Sequence, residues 1–151
     1  MSKVFCKNEV DKLQKVIIHY PDDGIEVVTP SNALEFLYDD IVHLQVMREE
    51  HQILIDILSA FIGEKNVLDT EDMLLEVLAS ISDENRVKFF NYLFSQEKLS
   101  SADQQLLKSL PNEELVYTLY TGVYRQENRT IFTPLPNYVF TRDIAVAIHD
   151  H

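Results

Sequence analysis

Glycine is scarce in this 151-residue chain, three residues in all, which leaves no glycine-rich loop to cradle a phosphate. Cysteine is scarcer. Cys6 is the only one, so an internal disulfide framework is excluded, and a reducing, cytoplasmic interior is the fitting compartment. Positive charge is also short: 13 Lys and Arg stand against 25 Asp and Glu, a formal net charge of −12. Such a surface repels phosphate backbones and anionic lipid, and no basic run offsets it, so neither nucleic-acid nor membrane binding is expected. No apolar run approaches the roughly eighteen residues that span a bilayer, and MSKVFCKNEVDK has no apolar core of signal-peptide length. What is present is an acidic, soluble type of chain, 46% hydrophobic and long enough for one domain with a real core.

The chain divides into three parts. The first, 1–30, reads as strand and turn. Leu13–Tyr20 is rich in β-branched side chains and stops at Pro21-Asp22-Asp23-Gly24, where proline fixes φ, the aspartates bond their own backbone and glycine permits positive φ. Ile25–Val28 is expected as a second short extended piece, ended by Pro30. The second part, 31–125, reads as mainly helical. Ser31 with Glu35 makes a loose capping pattern. Ile41, Leu44, Met47, His51, Leu54, Ile55, Leu58 and Ile62 recur at three- and four-residue steps, an apolar stripe expected to face the core, and Gly63 suits its stop. Further helices are expected over Glu71–Ile81, Asp83–Ser95, Ser101–Ser109 and Pro111–Tyr124, a small bundle with Ser82 or Asp83 and Ser100 as N-caps. The third part, 126–151, returns to strand: Thr130–Phe132, then Tyr138–Asp143 beyond two prolines, then the uniformly apolar Ile144–Ile148, as expected of a strand covered on both faces. The chain stops at His149-Asp150-His151, directly after that run, which suggests truncation.

Taken singly, the polar residues have ordinary explanations. Asp143 would cap a turn or pair with Arg142, Phe140 would be core, Asn137 would follow Pro136 in a turn, and Asp39-Asp40 would be an acidic pair near a helix start. Cys6 reads as an inert thiol. His149 and His151 could begin a metal site at their i, i+2 step, but two ligands are too few, and fraying explains a chain end better.

Three segments together resemble the arginine deiminases, members of the guanidine-modifying superfamily. Glu9–Pro21 is similar to the family's opening strand and His-Arg-Pro turn, with Tyr20 in place of the arginine. Leu37-Tyr38-Asp39-Asp40-Ile41, followed by Glu49-Glu50-His51, is similar to its Leu-Phe-Asp-Asp segment and the helix after it. Pro134-Leu135-Pro136-Asn137-Tyr138-Val139-Phe140-Thr141-Arg142-Asp143 is similar to its Pro-x-Pro-Asn-x-x-Phe-Thr-Arg-Asp signature and is the most specific of the three. Ile144 stands where the family commonly has proline. The resemblance implies the pentein fold, a five-bladed α/β-propeller. The fold class expected is therefore α+β: incomplete propeller strands from 1–30 and 126–151, and a mainly helical region, 31–125, that includes a helical-bundle insertion.

It also implies a hydrolase that converts L-arginine and water to citrulline and ammonia without metal or other cofactor. A guanidinium is planar, cationic and rich in N–H donors, so carboxylates clamp it well. By resemblance, catalytic Asp143 bonds the guanidinium and Phe140 offers the cation an aromatic face. Asn137 bonds the amino-acid end, and Leu37 lines that end through its backbone. The family's cysteine nucleophile and catalytic histidine lie in later segments. Cys6 precedes the first strand, and none of His19, His43, His51, His149 or His151 has the histidine's context, so this chain alone is expected to be inactive. Two alternatives stay open: a non-catalytic binding or interaction protein on a partial scaffold, and another guanidine-modifying enzyme, an amidinotransferase or dimethylarginine hydrolase, against which the helical insertion argues. Because Ile144–Ile148 is apolar on both faces, a homo-oligomer is expected. Residues three apart in a strand face opposite sides, so a pocket shared by Phe140 and Asp143 requires a bend near Thr141-Arg142.

Overall fold

Strand β1, Val16–Ile18, pairs in parallel with β2, Val67–Asp69, in the register Val16–Val67, Ile17–Leu68 and Ile18–Asp69. The structure, a computed structural model, describes residues 8 and 10–144, with only the backbone of 143 and 144. Parallel strands need a long crossover, and α1, Leu44–Ile62, supplies it. β1 falls inside the predicted run Leu13–Tyr20. β2 was not expected: three residues are too few for any periodicity to declare them.

The helices that follow are α2 (Thr70–Ser80), α3 (Asp83–Gln96), α4 (Ser101–Ser109) and α5 (Asn112–Thr121). Their starts are local chemistry. The side chains of Asp69, Ser82 and Ser100 accept from the backbone N–H of Glu71, Asn85 and Asp103, each satisfying a donor that the helix cannot. The predicted helix Pro111–Tyr124 ends early, at Gly122, which adopts φ 75°; an added Cβ there would stand 2.5 Å from the Phe132 carbonyl oxygen. Beyond it β3, Val123–Tyr124, pairs antiparallel with β4, Arg129–Thr130. Leu78, Phe90, Leu107, Leu110, Leu115, Val116, Tyr120, Tyr124 and Phe132 form the core of this helical region and its hairpin. Leu107 and Leu115 are fully buried, and burial of such a side chain contributes roughly 1.5–3 kcal/mol.

Several expectations need correction. Ile25–Val28 is not extended: Asp23–Val27 is a 3-10 helix, started by Asp22 accepting from the Gly24 N–H, and it buries Ile25 and Val28. Ser31 caps nothing; a 3-10 turn over Ala33–Phe36 follows Asn32, whose side chain accepts from the Thr29 N–H instead. Helix α1 begins at Leu44, so Ile41 lies outside it. Of its stripe only Leu44 is buried, Met47, His51, Ile55, Leu58 and Ile62 are half-buried, and Leu54 is exposed. Tyr138–Asp143 is not a strand. Pro136–Val139 forms a 3-10 turn and α6, Thr141–Ile144, a single helical turn, because Pro136 presets φ at the start and the Phe140 N–H closes on the Asn137 carbonyl. Cys6, residues 145–148 of the apolar run and His149–His151 lie outside the described residues. Those that are described are mostly helical with two small two-stranded sheets, an α+β arrangement, and form no propeller. None of their helices is long and apolar enough to cross a membrane.

Candidate functional site

The 3-10 turn Ala33–Phe36 closes on Leu37, which is held in the left-handed region at φ 60° and ψ 33°. Leucine rarely adopts that conformation, since its Cβ crowds the following carbonyl. Nothing apolar compensates, for Leu37 is 87% exposed. The next residue reverses direction in space: the Tyr38 ring is buried, and its hydroxyl donates to the Pro136 carbonyl at 2.9 Å. Burial pushes that phenol above its ordinary pKa. From the other side, Asn137 Nδ2 donates to the Phe36 carbonyl at 2.7 Å. Two bonds thus lock the Leu37 segment to the Pro136-Asn137 turn across about a hundred residues of chain. A third contact brings in the first segment, as Thr141 Oγ1 donates to the Ile17 carbonyl at 3.0 Å.

Leu37, Asn137 and Phe140 are therefore on elements that meet. Phe140 is half-exposed rather than core. Asp143 lies in α6, and its side chain is outside the description. The backbone becomes helical directly after Phe140, so the opposition expected of strand residues three apart does not arise. Asp39-Asp40 is exposed, and Asp40 accepts from the Ile41 N–H at 2.7 Å, a local turn and no part of the junction.

Tyr20, in the place of the family's arginine, stands edge-on to His51 at 5.7 Å and lines an open cleft with Glu64, Asp69, Glu71 and Asp72. Both Asp69 oxygens are used, by the N–H groups of Tyr20 and Glu71. Burial, then the Asp69 charge, raises the Glu71 carboxyl pKa; burial lowers that of His51, against the pull of Asp69. Among the described residues no group of three or more His, Cys, Asp or Glu side chains is placed to hold a metal ion. The rings of His19, Tyr120 and Tyr138, none of them expected to serve the site, pack together, and Tyr138 belongs to the turn that carries Asn137. His19 and Tyr138 lie in the first and third of the resembling segments, whereas nothing local in the sequence marks Tyr120.

These contacts define an α+β chain in which three separated segments meet at one surface. Comparison with known proteins makes the description particular. The chain is 32% identical to the arginine deiminase of Borreliella afzelii, an alignment covering 90% of this chain and 37% of that protein. It is 30% identical to the arginine deiminase of Borreliella burgdorferi, with the same two coverages, and 27% identical to that of Lactococcus lactis subsp. cremoris, covering 90% of this chain and 38% of the relative. It resembles the N-terminal part of these proteins and spans just over a third of their length. No family model matches it.

Proposed function

We propose that this chain carries the substrate-recognition part of an arginine-deiminase-like hydrolase of the pentein type. The observation behind the reading is the junction of the Leu37 and Asn137 segments through the Asn137–Phe36 and Tyr38–Pro136 hydrogen bonds. In this reading Leu37 presents backbone to the amino-acid end of L-arginine. Its left-handed conformation supports that role, because backbone strain concentrates where a ligand needs a particular carbonyl or N–H. Asn137 bonds the same end, Phe140 covers the cation, and Asp143 accepts from the guanidinium N–H groups. The thiolate that attacks the guanidinium carbon and the histidine that moves the protons have no counterpart by motif in these 151 residues, so the chain alone forms no citrulline. Within a complete enzyme, Asp143→Ala leaves a bound cation under-paired and is expected to cost about 3–5 kcal/mol of transition-state stabilisation. Self-association through the apolar run Ile144–Ile148 belongs to the same proposal.

Titration of the isotope-labelled chain with L-arginine, followed by NMR, tests the reading. Backbone signals of Leu37, Asn137 and Phe140 are expected to move, less so with citrulline, whose ureido group carries no charge, and to stay still in Asp143→Asn. Equal responses in the parent and Asp143→Asn, or none in the parent, overturn it.

A further inference from the structure

We infer that His19 is a positioning residue for this site: wedged against Tyr138, it holds the turn that carries Asn137 and Phe140. Its ligand rests on the function proposed above; its mechanism rests on geometry. His19 follows β1 and is 2% exposed. Both ring nitrogens are engaged, Nδ1 with Thr70 Oγ1 at 2.8 Å and Nε2 with Asp22 Oδ2 at 3.1 Å. A carboxylate only accepts, so Nε2 donates to Asp22, while the Thr70 hydroxyl, able to donate or accept, satisfies Nδ1. The anchors are themselves fixed. Asp22 Oδ1 accepts from the Gly24 N–H at 2.7 Å, and Thr70 opens α2, with its carbonyl accepting from the Tyr120 hydroxyl at 3.1 Å. An imidazole held at both nitrogens has a single ring plane.

Two tyrosines pack on that plane. Tyr138 meets it edge-on, centroids 5.0 Å apart at 88°, and Tyr120 lies at 4.7 Å; the two tyrosine rings are 5.0 Å from each other. Tyr138 is the central aromatic of the Pro136–Val139 turn, flanked in sequence by Asn137. A four-residue 3-10 turn has poor internal hydrogen-bond geometry and takes its orientation from what surrounds it. The backbone of β1 already holds the far side of this segment through Thr141, and His19, one residue beyond β1, holds its near side. The end of β1 therefore positions the stretch from Asn137 to Thr141 jointly with the bonds to Phe36 and Tyr38.

The test compares His19→Leu, which removes ring and hydrogen bonds, with His19→Phe, which keeps a ring, and Tyr138→Leu, which removes the other half of the contact. Solvent exchange of the hydrogen-bonded Asn137 side-chain amide is followed by NMR in the whole chain, with arginine affinity beside it. In His19→Leu the amide is expected to exchange about tenfold faster and arginine to bind several-fold more weakly, with protection in α3 and α4 retained; His19→Phe recovers most of the protection. Tyr138→Leu gives the same pattern, and the double variant is no worse than either single one, as coupled contacts require. Unchanged Asn137 exchange in folded His19→Leu, or a loss that merely tracks α3 and α4 without rescue by His19→Phe, overturns the inference. If His19→Leu does not fold, Tyr138→Leu decides by the same criteria. A parent chain blind to arginine counts against the proposed function, and the exchange data still decide on His19.

Discussion

Replacing Leu37 by glycine should make the protein more stable, although it deletes a whole hydrophobic side chain. Leu37 sits at φ 60°, a region that costs an L-residue roughly 1–2 kcal/mol and glycine almost nothing. With 87% of the residue exposed, truncation forfeits little burial. Glycine also loses more backbone freedom on folding, which returns about 0.5–1 kcal/mol of the gain. The balance is a stabilisation of about 0.5–1 kcal/mol, or roughly 1–4 °C in Tm for a chain of this size. Urea denaturation monitored by circular dichroism, with unchanged m-values, would measure it. Leu37→Ala is the control: alanine keeps the Cβ and the strain, so its stability should stay within about 0.5 kcal/mol of the parent. Asn128, at φ 47°, offers a contrast, since asparagine tolerates this region and Asn128→Gly should gain less. A Leu37→Gly variant no more stable than Leu37→Ala would refute the claim that strain is stored at the candidate site.

Gly122→Ala should be severely destabilising, by about 3 kcal/mol or more, because the new Cβ meets the Phe132 carbonyl oxygen at 2.5 Å and the Pro134 nitrogen at 3.0 Å from a φ of +75°; thermal melts against the parent check this. Glu71→Gln should stabilise the protein at neutral pH, since burial and Asp69 disfavour the carboxylate; the gain should vanish below about pH 4, where the parent is protonated folded or unfolded, and denaturation across pH reads it. Tyr120, Tyr38 and Tyr117 all have phenol pKa values raised, by burial first in each case. A raised folded-state pKa gives stability that is complete below the unfolded value of about 10 and is lost as pH climbs toward the folded one, so alkaline titration should show unfolding and tyrosinate absorbance rising together.

What the sequence determined by itself is whatever neighbours in sequence can decide. Ser82 and Ser100 cap the helices assigned to them because an N-cap needs only a side-chain oxygen and an N–H three residues on. Gly63 ends α1 because glycine alone reaches φ 85° without strain. The signature Pro134–Asp143 could also be recognised as a string, and the relatives bear that recognition out. Its conformation could not: β-rich residues after two prolines suggested a strand, whereas contacts with Phe36, Tyr38 and His19 favour a 3-10 turn and a helical one. Tertiary structure alone decided the pairing of β1 with β2, the meeting of Phe36 with Asn137, and the burial of His19 between Asp22 and Thr70. Most of these join residues about fifty or a hundred positions apart. No periodicity or cap encodes such a pair, because its energy is gained only after the loop between them has been closed.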